Sequence, residues 1–281
     1  MKTNENYLRR AMHGKLWLSG LLSFLFLFSS FLAHAQIYYI DAVNGNDASS
    51  GQSAATAWKS LSKVNGTTFP AGALILFKAN CVWTGQLHPL GSGTAASPIV
   101  IDMYGTGAKP MFNGNGMTGQ AVVRLFNQQY WEINNLEVIN DAAAQGDRRG
   151  VEILASNFGT VNHVYLKDLD VHNIKGIPGQ DLAAKKTAGI YIATVADNTV
   201  PTRFNNVMID GCHISFVQNQ GIVTNHEVAT EYPGTGKWEQ RKFTNFQIRN
   251  NIIHDISKNA MIIRMTEGGV VEYNVCYNTA L

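Results

Sequence analysis

The sequence predicts an all-β chain wound into a parallel β-helix, a solenoid of short strands stacked along one axis. Three observations predict it. Residues 130–278 carry one short pattern five times: two apolar residues two apart, a turn, and in most copies another apolar residue five positions after the first. In the first four copies a second apolar strand then begins with Gly or Ala. Amphipathic helix signal is almost missing, the stretch Ala54 to Val64 being the one short helix the pattern allows. A β-sandwich also has short strands at short intervals, but it does not explain why the same order of spacings recurs.

The first 35 residues read as a leader rather than as fold. Lys2, Arg9, Arg10 and Lys15 give a basic start, Trp17 to Leu32 is strongly apolar, and Ala33-His34-Ala35 offers small residues where a signal peptidase reads. The apolar run is about 16 residues, short of the roughly 20 needed to span a bilayer. Cleavage before Gln36 and export are therefore expected, with no membrane span after cleavage. Of the 22 Lys/Arg and 20 Asp/Glu residues, four and one lie in the leader; the remainder holds 18 and 19, a net charge near −1. That balance gives no electrostatic footprint for nucleic acid. A secreted monomer of one elongated domain is expected.

Residues 36–120 read as a cap with the first coils. Tyr38-Tyr39-Ile40-Asp41 is a strand running into the turn-rich Asn44-Gly45-Asn46-Asp47. Trp58, Leu61 and Val64 form a stripe at helical spacing, and Leu74 to Phe77 and Ile99 to Ile101 are strands. A first coil needs such a cover, because its end otherwise exposes apolar core and unpaired backbone. Asp41, Asn44, Asn46 and Asp47 are oxygen donors of the kind that hold calcium, and equally ordinary turn formers.

Residues 121–281 are the repeats. Their opening pairs are Trp131/Ile133, Val164/Leu166, Val207/Ile209, Phe246/Ile248 and Val271/Tyr273, at spacings of 33, 43, 39 and 25 residues. The second strand begins at Gly150, Gly189, Gly221 and Ala260. Period-two alternation turns Val151, Ile153, Ile190, Ile192, Ile222, Met261 and Ile263 inward, and Glu152, Tyr191, Val223 and Ile262 outward. Stacking places Val151, Ile190, Ile222 and Met261 one above another. An inward Asn at a corner, such as Asn251, can bond the coils above and below. Cys212 and Cys276 take the same place two copies apart, about 10 Å by strand spacing, which is beyond the reach of a disulfide. Both are expected to be buried small apolar residues. The chain stops inside its fifth copy, at Thr279-Ala280-Leu281, which predicts that part of the helix is missing.

Together these features resemble the pectin-lyase-like right-handed parallel β-helix superfamily of secreted bacterial proteins. The likeness runs through Tyr38-Tyr39-Ile40-Asp41 to Ala57-Trp58-Lys59-Ser60-Leu61, Gly72 to Lys78, Trp83 to Leu87, Ser97 to Ile101, Tyr104 to Pro110, and the repeats. It implies a right-handed helix and a carbohydrate-active protein. It carries no family-specific catalytic motif.

The resemblance implies that a glycan lies along one strand face and its flanking loops, here the strand beginning with Gly or Ala. Arg149, Glu152, Tyr191 and Arg264 are the substrate-binding candidates, with Trp238 in an inserted loop (Glu231 to Arg241) as a stacking aromatic. Mixed cations and carboxylates suit an acidic polysaccharide, because guanidinium and ammonium groups pair with uronate carboxylates. The leading expectation is a polysaccharide lyase with Lys186 as base, Arg264 neutralising the substrate carboxylate, and Glu227 and Glu267 holding calcium. A glycoside hydrolase is the alternative, with Glu227 paired to Glu267 or to Glu152; His226 is a candidate base in either scheme. A non-catalytic glycan-binding protein is the third reading. Asp168, Asp170, His172 and Asp181 form a second polar cluster, whose Asp168, Asp170 and Asp181 are the candidate ligands of calcium, the candidate cofactor; no other cofactor is expected. Asp210, His213, His254 and Asp255 recur at similar repeat positions and read as turn residues.

Overall fold

A computed structural model of the chain describes residues 36–179, 184–197, 199–227 and 236–281. The leader, Asp181 and residues 231–235 of the inserted loop lie outside the described residues. The described chain is a stack of coils with three long parallel sheets and a two-stranded one, Thr68–Phe69 with Leu90–Gly91. The largest runs Ile37–Ile40, Leu74–Lys78, Ile99–Tyr104, Trp131–Asn134, Thr160–Lys167, Arg203–Asp210 and Phe243–Arg249, with Thr266–Glu267 and Val270–Glu272 both pairing the last. A seven-stranded sheet runs from Val82–Thr84 through Met111–Asn113, Glu137–Asn140, Asp170–Ile174, His213–Val217 and Ile252–Ile256 to Val275–Thr279. A five-stranded sheet holds Gln120–Phe126, Arg148–Ser156, Ala188–Ala196, Gln220–His226 and Asn259–Ile262.

The expected file is present: Val151 pairs with Ile190, Ile190 with Ile222, and Ile222 with Met261, with Val123 below. Val151, Ile190 and Ile222 are fully buried. Glycine at the start of these strands has a steric cause. A Cβ on Gly189 would lie 2.7 Å from Ile214 Cγ2 and 2.9 Å from the Gly221 oxygen. The Asn expectation also holds: Asn251 is buried, accepts from Cys212 N, and donates to Ile209 O and Asn274 Oδ1.

In the five repeat copies the corner between the two larger sheets is a single left-handed residue: Asn135, Asp168, Gly211, Asn250 and Tyr273, with φ between 53° and 67°. Asn, Asp and Gly are the residues that bear this conformation most readily. This corrects the fifth copy. Val271 pairs with Ile248 and Cys276 with Ile253, so the copy slips by two residues and opens at Gly269. Tyr273 is therefore a corner residue, 79% exposed, and Cys276 stacks over Ile253 and Ile214 rather than over Cys212. Cys276 is exposed, not buried, because no described coil covers it; Val271 is 47% exposed and Ile263 40% for the same reason.

At the other end the cap is tied by short polar bonds. Asp41 accepts from Lys78 Nζ at 2.6 Å and from the Val43 and Asn44 amides, and Asp47 accepts from Ser60 and the Lys59 amide. Burial pushes the Asp41 carboxyl up, but these donors outweigh it and hold the group at about 2. The helix expected over Ala54 to Val64 is two pieces, a 3-10 turn Ala54–Thr56 capped by Ser53 and an α-helix Leu61–Asn65 capped by Ser60. Among the described residues no helix is long and apolar enough to cross a membrane.

Candidate functional site

The outward side of the five-stranded sheet carries a linked polar network. Register brings Arg124, Glu152, Tyr191, Val223 and Ile262 into one row across successive coils. Sequence alternation predicts that these side chains leave the core, and they do. It does not predict that the row is covered: Glu152 and Tyr191 are each 1% exposed. A second apolar cluster of Leu154, Ala188, Tyr191, Ala193 and Val223 forms over this face.

Within the cover the charges are matched. Arg149 donates to Glu152 at 2.7 Å and through one nitrogen to both Asp147 oxygens at 2.7 and 2.8 Å. Arg124 Nε lies 3.1 Å from the other Glu152 oxygen. Arg149 also donates to the Lys186 carbonyl, and its guanidinium sits 5.6 Å from the Tyr191 ring centre. Tyr191 donates to Glu227 Oε1 at 2.9 Å, while Lys186 Nζ donates to Glu227 Oε2 at 2.7 Å. Burial pushes the Tyr191 phenol well above its ordinary value; Asn225 opposes this and Glu227 adds to it. Arg149, Glu152, Tyr191, Lys186 and Glu227 are thus brought into one linked group.

At the end of the same sheet lies a feature that the sequence reading missed. Asp197 follows the strand Ala188–Ala196 just as Glu227 follows Gln220–His226 in the next coil. Both carboxylates act on His226, which lies buried with Nε2 3.4 Å from Asp197 Oδ2. Arg241, from the helix Gly236–Arg241, bonds the same Asp197 oxygen. Burial pulls the His226 imidazole below its ordinary value; Asp197 opposes the shift and Arg241 reinforces it. The available signal was positional, since Ala196-Asp197 and His226-Glu227 end neighbouring strands in like fashion.

Other expected site residues fall elsewhere. Glu267 pairs with Thr244 in the largest sheet and binds Lys242 at 2.6 Å, so it sits on a different sheet from Glu227's strand. Trp238 is buried in its helix rather than displayed for stacking. Arg264 is exposed and reaches Asn225 Oδ1 at 3.4 Å. Asp168 is a corner residue, and Asp170 pairs with His213 on the seven-stranded sheet. Among the described residues no group of three or more His, Cys, Asp or Glu is placed to hold a metal ion.

The fold is a right-handed parallel β-helix. No family model matches the chain. The chain is 25% identical, over 312 aligned positions, to a lacto-N-biosidase of Bifidobacterium longum subsp. longum, covering 85% of this chain and 19% of that protein. It superposes on the native crystal structure of a GH136 lacto-N-biosidase from Eubacterium ramulus with a TM-score of 0.77 and 26% identity, covering 85% of this chain and 45% of that one. The selenomethionine derivative of that protein gives a TM-score of 0.73 at 24% identity, covering 92% and 47%. The chain thus spans less than half the length of the relatives it matches.

Proposed function

We propose that this chain is the β-helical part of a secreted or surface-held glycoside hydrolase, and that it cleaves a glycan at the exit of the five-stranded sheet between Asp197 and Glu227. The observation that carries this reading is the pair of carboxylates ending adjacent strands around one buried histidine. Hydrolysis of a glycosidic bond uses two carboxyl groups about 5 to 9.5 Å apart. Adjacent strands lie about 4.8 Å apart and advance about 3.3 Å per residue, which puts the two backbones roughly 8 Å apart for a two-residue offset. The Glu227 amide donating to the Thr194 carbonyl supports that offset.

The relatives named above are glycosidases, which favours the hydrolase alternative over the lyase reading. The ion pairs point the same way. Arg149 is spent on Glu152 and Asp147, and Lys186 on Glu227, so neither is left to pair with a uronate. A neutral glycan fits this arrangement better than an acidic one. The test is to incubate the full chain with a lacto-N-bioside and a panel of neutral and uronate-containing glycans. New reducing ends without an unsaturated, ultraviolet-absorbing product are expected, and Asp197→Asn and Glu227→Gln should each lower turnover by about 10²- to 10⁴-fold. Wild-type turnover in both variants, unsaturated products, or no cleavage of any glycan would contradict the proposal.

A further inference from the structure

The seven-stranded sheet carries a second constellation, on a different sheet from the one above. His213 stands on the strand His213–Val217 and His254 on the adjacent strand Ile252–Ile256, one diagonal step apart. Their Nε2 atoms are 2.7 Å from each other. Each ring is held from behind by a carboxylate: Asp170 Oδ1 lies 3.1 Å from His213 Nδ1, and Asp255 Oδ2 lies 2.7 Å from His254 Nδ1. Tyr277 stacks on His254 with ring centres 4.7 Å apart and planes 7° apart, and Phe216 meets the same ring edge-on.

An ionised carboxylate only accepts, so each Nδ1 carries a hydrogen, and the Nε2 of a neutral ring then presents a lone pair. Two lone pairs aimed at one point repel unless something electrophilic lies between them. A single shared proton satisfies this, and so does a metal ion. A carboxylate behind a histidine is the arrangement that fixes tautomer and ring orientation for metal binding. We propose that His213 and His254 chelate a borderline divalent cation such as Zn²⁺ through their Nε2 atoms, with water completing the shell, so that the ion clips two successive coils together.

The chemistry selects the ion. Imidazole nitrogen suits zinc, copper and nickel, whereas calcium takes oxygen ligands. Zn–N bonds of about 2.0–2.1 Å in a tetrahedral shell need the two nitrogens about 3.3 Å apart. The pair must therefore open by roughly 0.6 Å, less than one Zn–N bond length. The His213 side chain is 42% exposed and supplies both that freedom and the path of entry. The ion replaces the shared proton where one is present.

The experiment uses the full chain without an affinity tag, in a Cys276→Ser background, because the exposed Cys276 thiol is a competing zinc ligand. Calorimetric titration with ZnCl₂ should show a saturable site that is lost in both His213→Gln and His254→Gln and retained in His172→Gln, a control on the neighbouring strand Asp170–Ile174 whose ring meets Glu137 instead. Asp255→Asn should weaken it about 10- to 100-fold. Zinc should raise the Tm of the parent but of neither His213→Gln nor His254→Gln, and calcium should do neither. If His254→Gln fails to fold, the half-exposed His213→Gln decides the matter. No saturable zinc binding by the parent, or unchanged binding in His213→Gln, overturns the proposal.

Discussion

Replacing Glu152 by Gln tests whether the outward face of the five-stranded sheet is as dry as the structure has it. The substitution keeps the side chain's size and removes the charge shared by Arg149 and Arg124. Removing one partner of a buried pair costs about 3–5 kcal/mol, because a charge is left uncompensated. Two features reduce that here. Arg149 keeps its bond to Asp147, and the Arg124 side chain is 26% exposed and can hydrate. The expected loss is therefore about 2–3 kcal/mol, near the lower end of that range. With m of about 1–3 kcal/mol/M, the urea midpoint should fall by about 1 M. A double-mutant cycle with Arg149→Met should return a coupling of about 0.5–3 kcal/mol. Equilibrium urea unfolding followed by circular dichroism reads both. A midpoint within about 0.2 M of wild type would show that water reaches Glu152 and that the cover is absent in solution.

Three further outcomes are expected. A thiol reagent should titrate Cys276 rapidly in the native protein and leave Cys81 and Cys212 unreacted until denaturant is added, since both are buried and burial pushes the Cys212 thiol up to about 12. Rapid reaction at more than one thiol would contradict the stacking of Cys212. Gly189→Ala should destabilise by about 1–3 kcal/mol through overpacking against Ile214 and the Gly221 carbonyl. Gly236→Ala, with open space around the new methyl, should leave the midpoint nearly unchanged and serves as its control. Stability should also depend on pH through His226, whose folded pKa lies below its ordinary 6.5. The unfolded chain then binds the extra proton, so this contribution is full above about 6.5 and is lost as pH falls below it. His226→Gln should flatten the midpoint-versus-pH curve in that window, and an unaltered curve would count against a buried neutral imidazole.

The coil register was legible because it rests on residues whose constraints are local. Val151, Ile190, Ile222 and Met261 alternate with outward residues, and Gly150, Gly189 and Gly221 mark where no Cβ fits. The fifth copy was misplaced by two residues because Tyr273 looks like a strand residue, and only the backbone shows it in the left-handed corner that its counterparts fill with Asn, Asp or Gly. Asp168 drew attention as one of a polar cluster with Asp170, and its own place in the chain is this same left-handed corner. Around the site, alternation located Glu152 and Tyr191 on the correct face but said nothing of what lies over them, because cover depends on loops whose paths follow no period. Glu267 was grouped with Glu227 by its position in the chain, yet the two are reached from different sheets. Asp197 was overlooked because nothing in its own neighbourhood distinguishes it; its meaning comes from the next coil.

The stacking of coils is tested most directly by a disulfide placed across them. Met208 and Gln247 face outward at matched positions on neighbouring strands of the largest sheet. Strands about 4.8 Å apart fall inside the range a disulfide spans. In the Cys276→Ser background, Met208→Cys with Gln247→Cys should oxidise to an intramolecular bridge under mild conditions, visible as a mobility shift and loss of two titratable thiols. Met208→Cys with Thr244→Cys, displaced by about 10 Å along the strand, should stay reduced. Bridging of the displaced pair, or failure of the matched one, would contradict the coil register on which the proposed site depends.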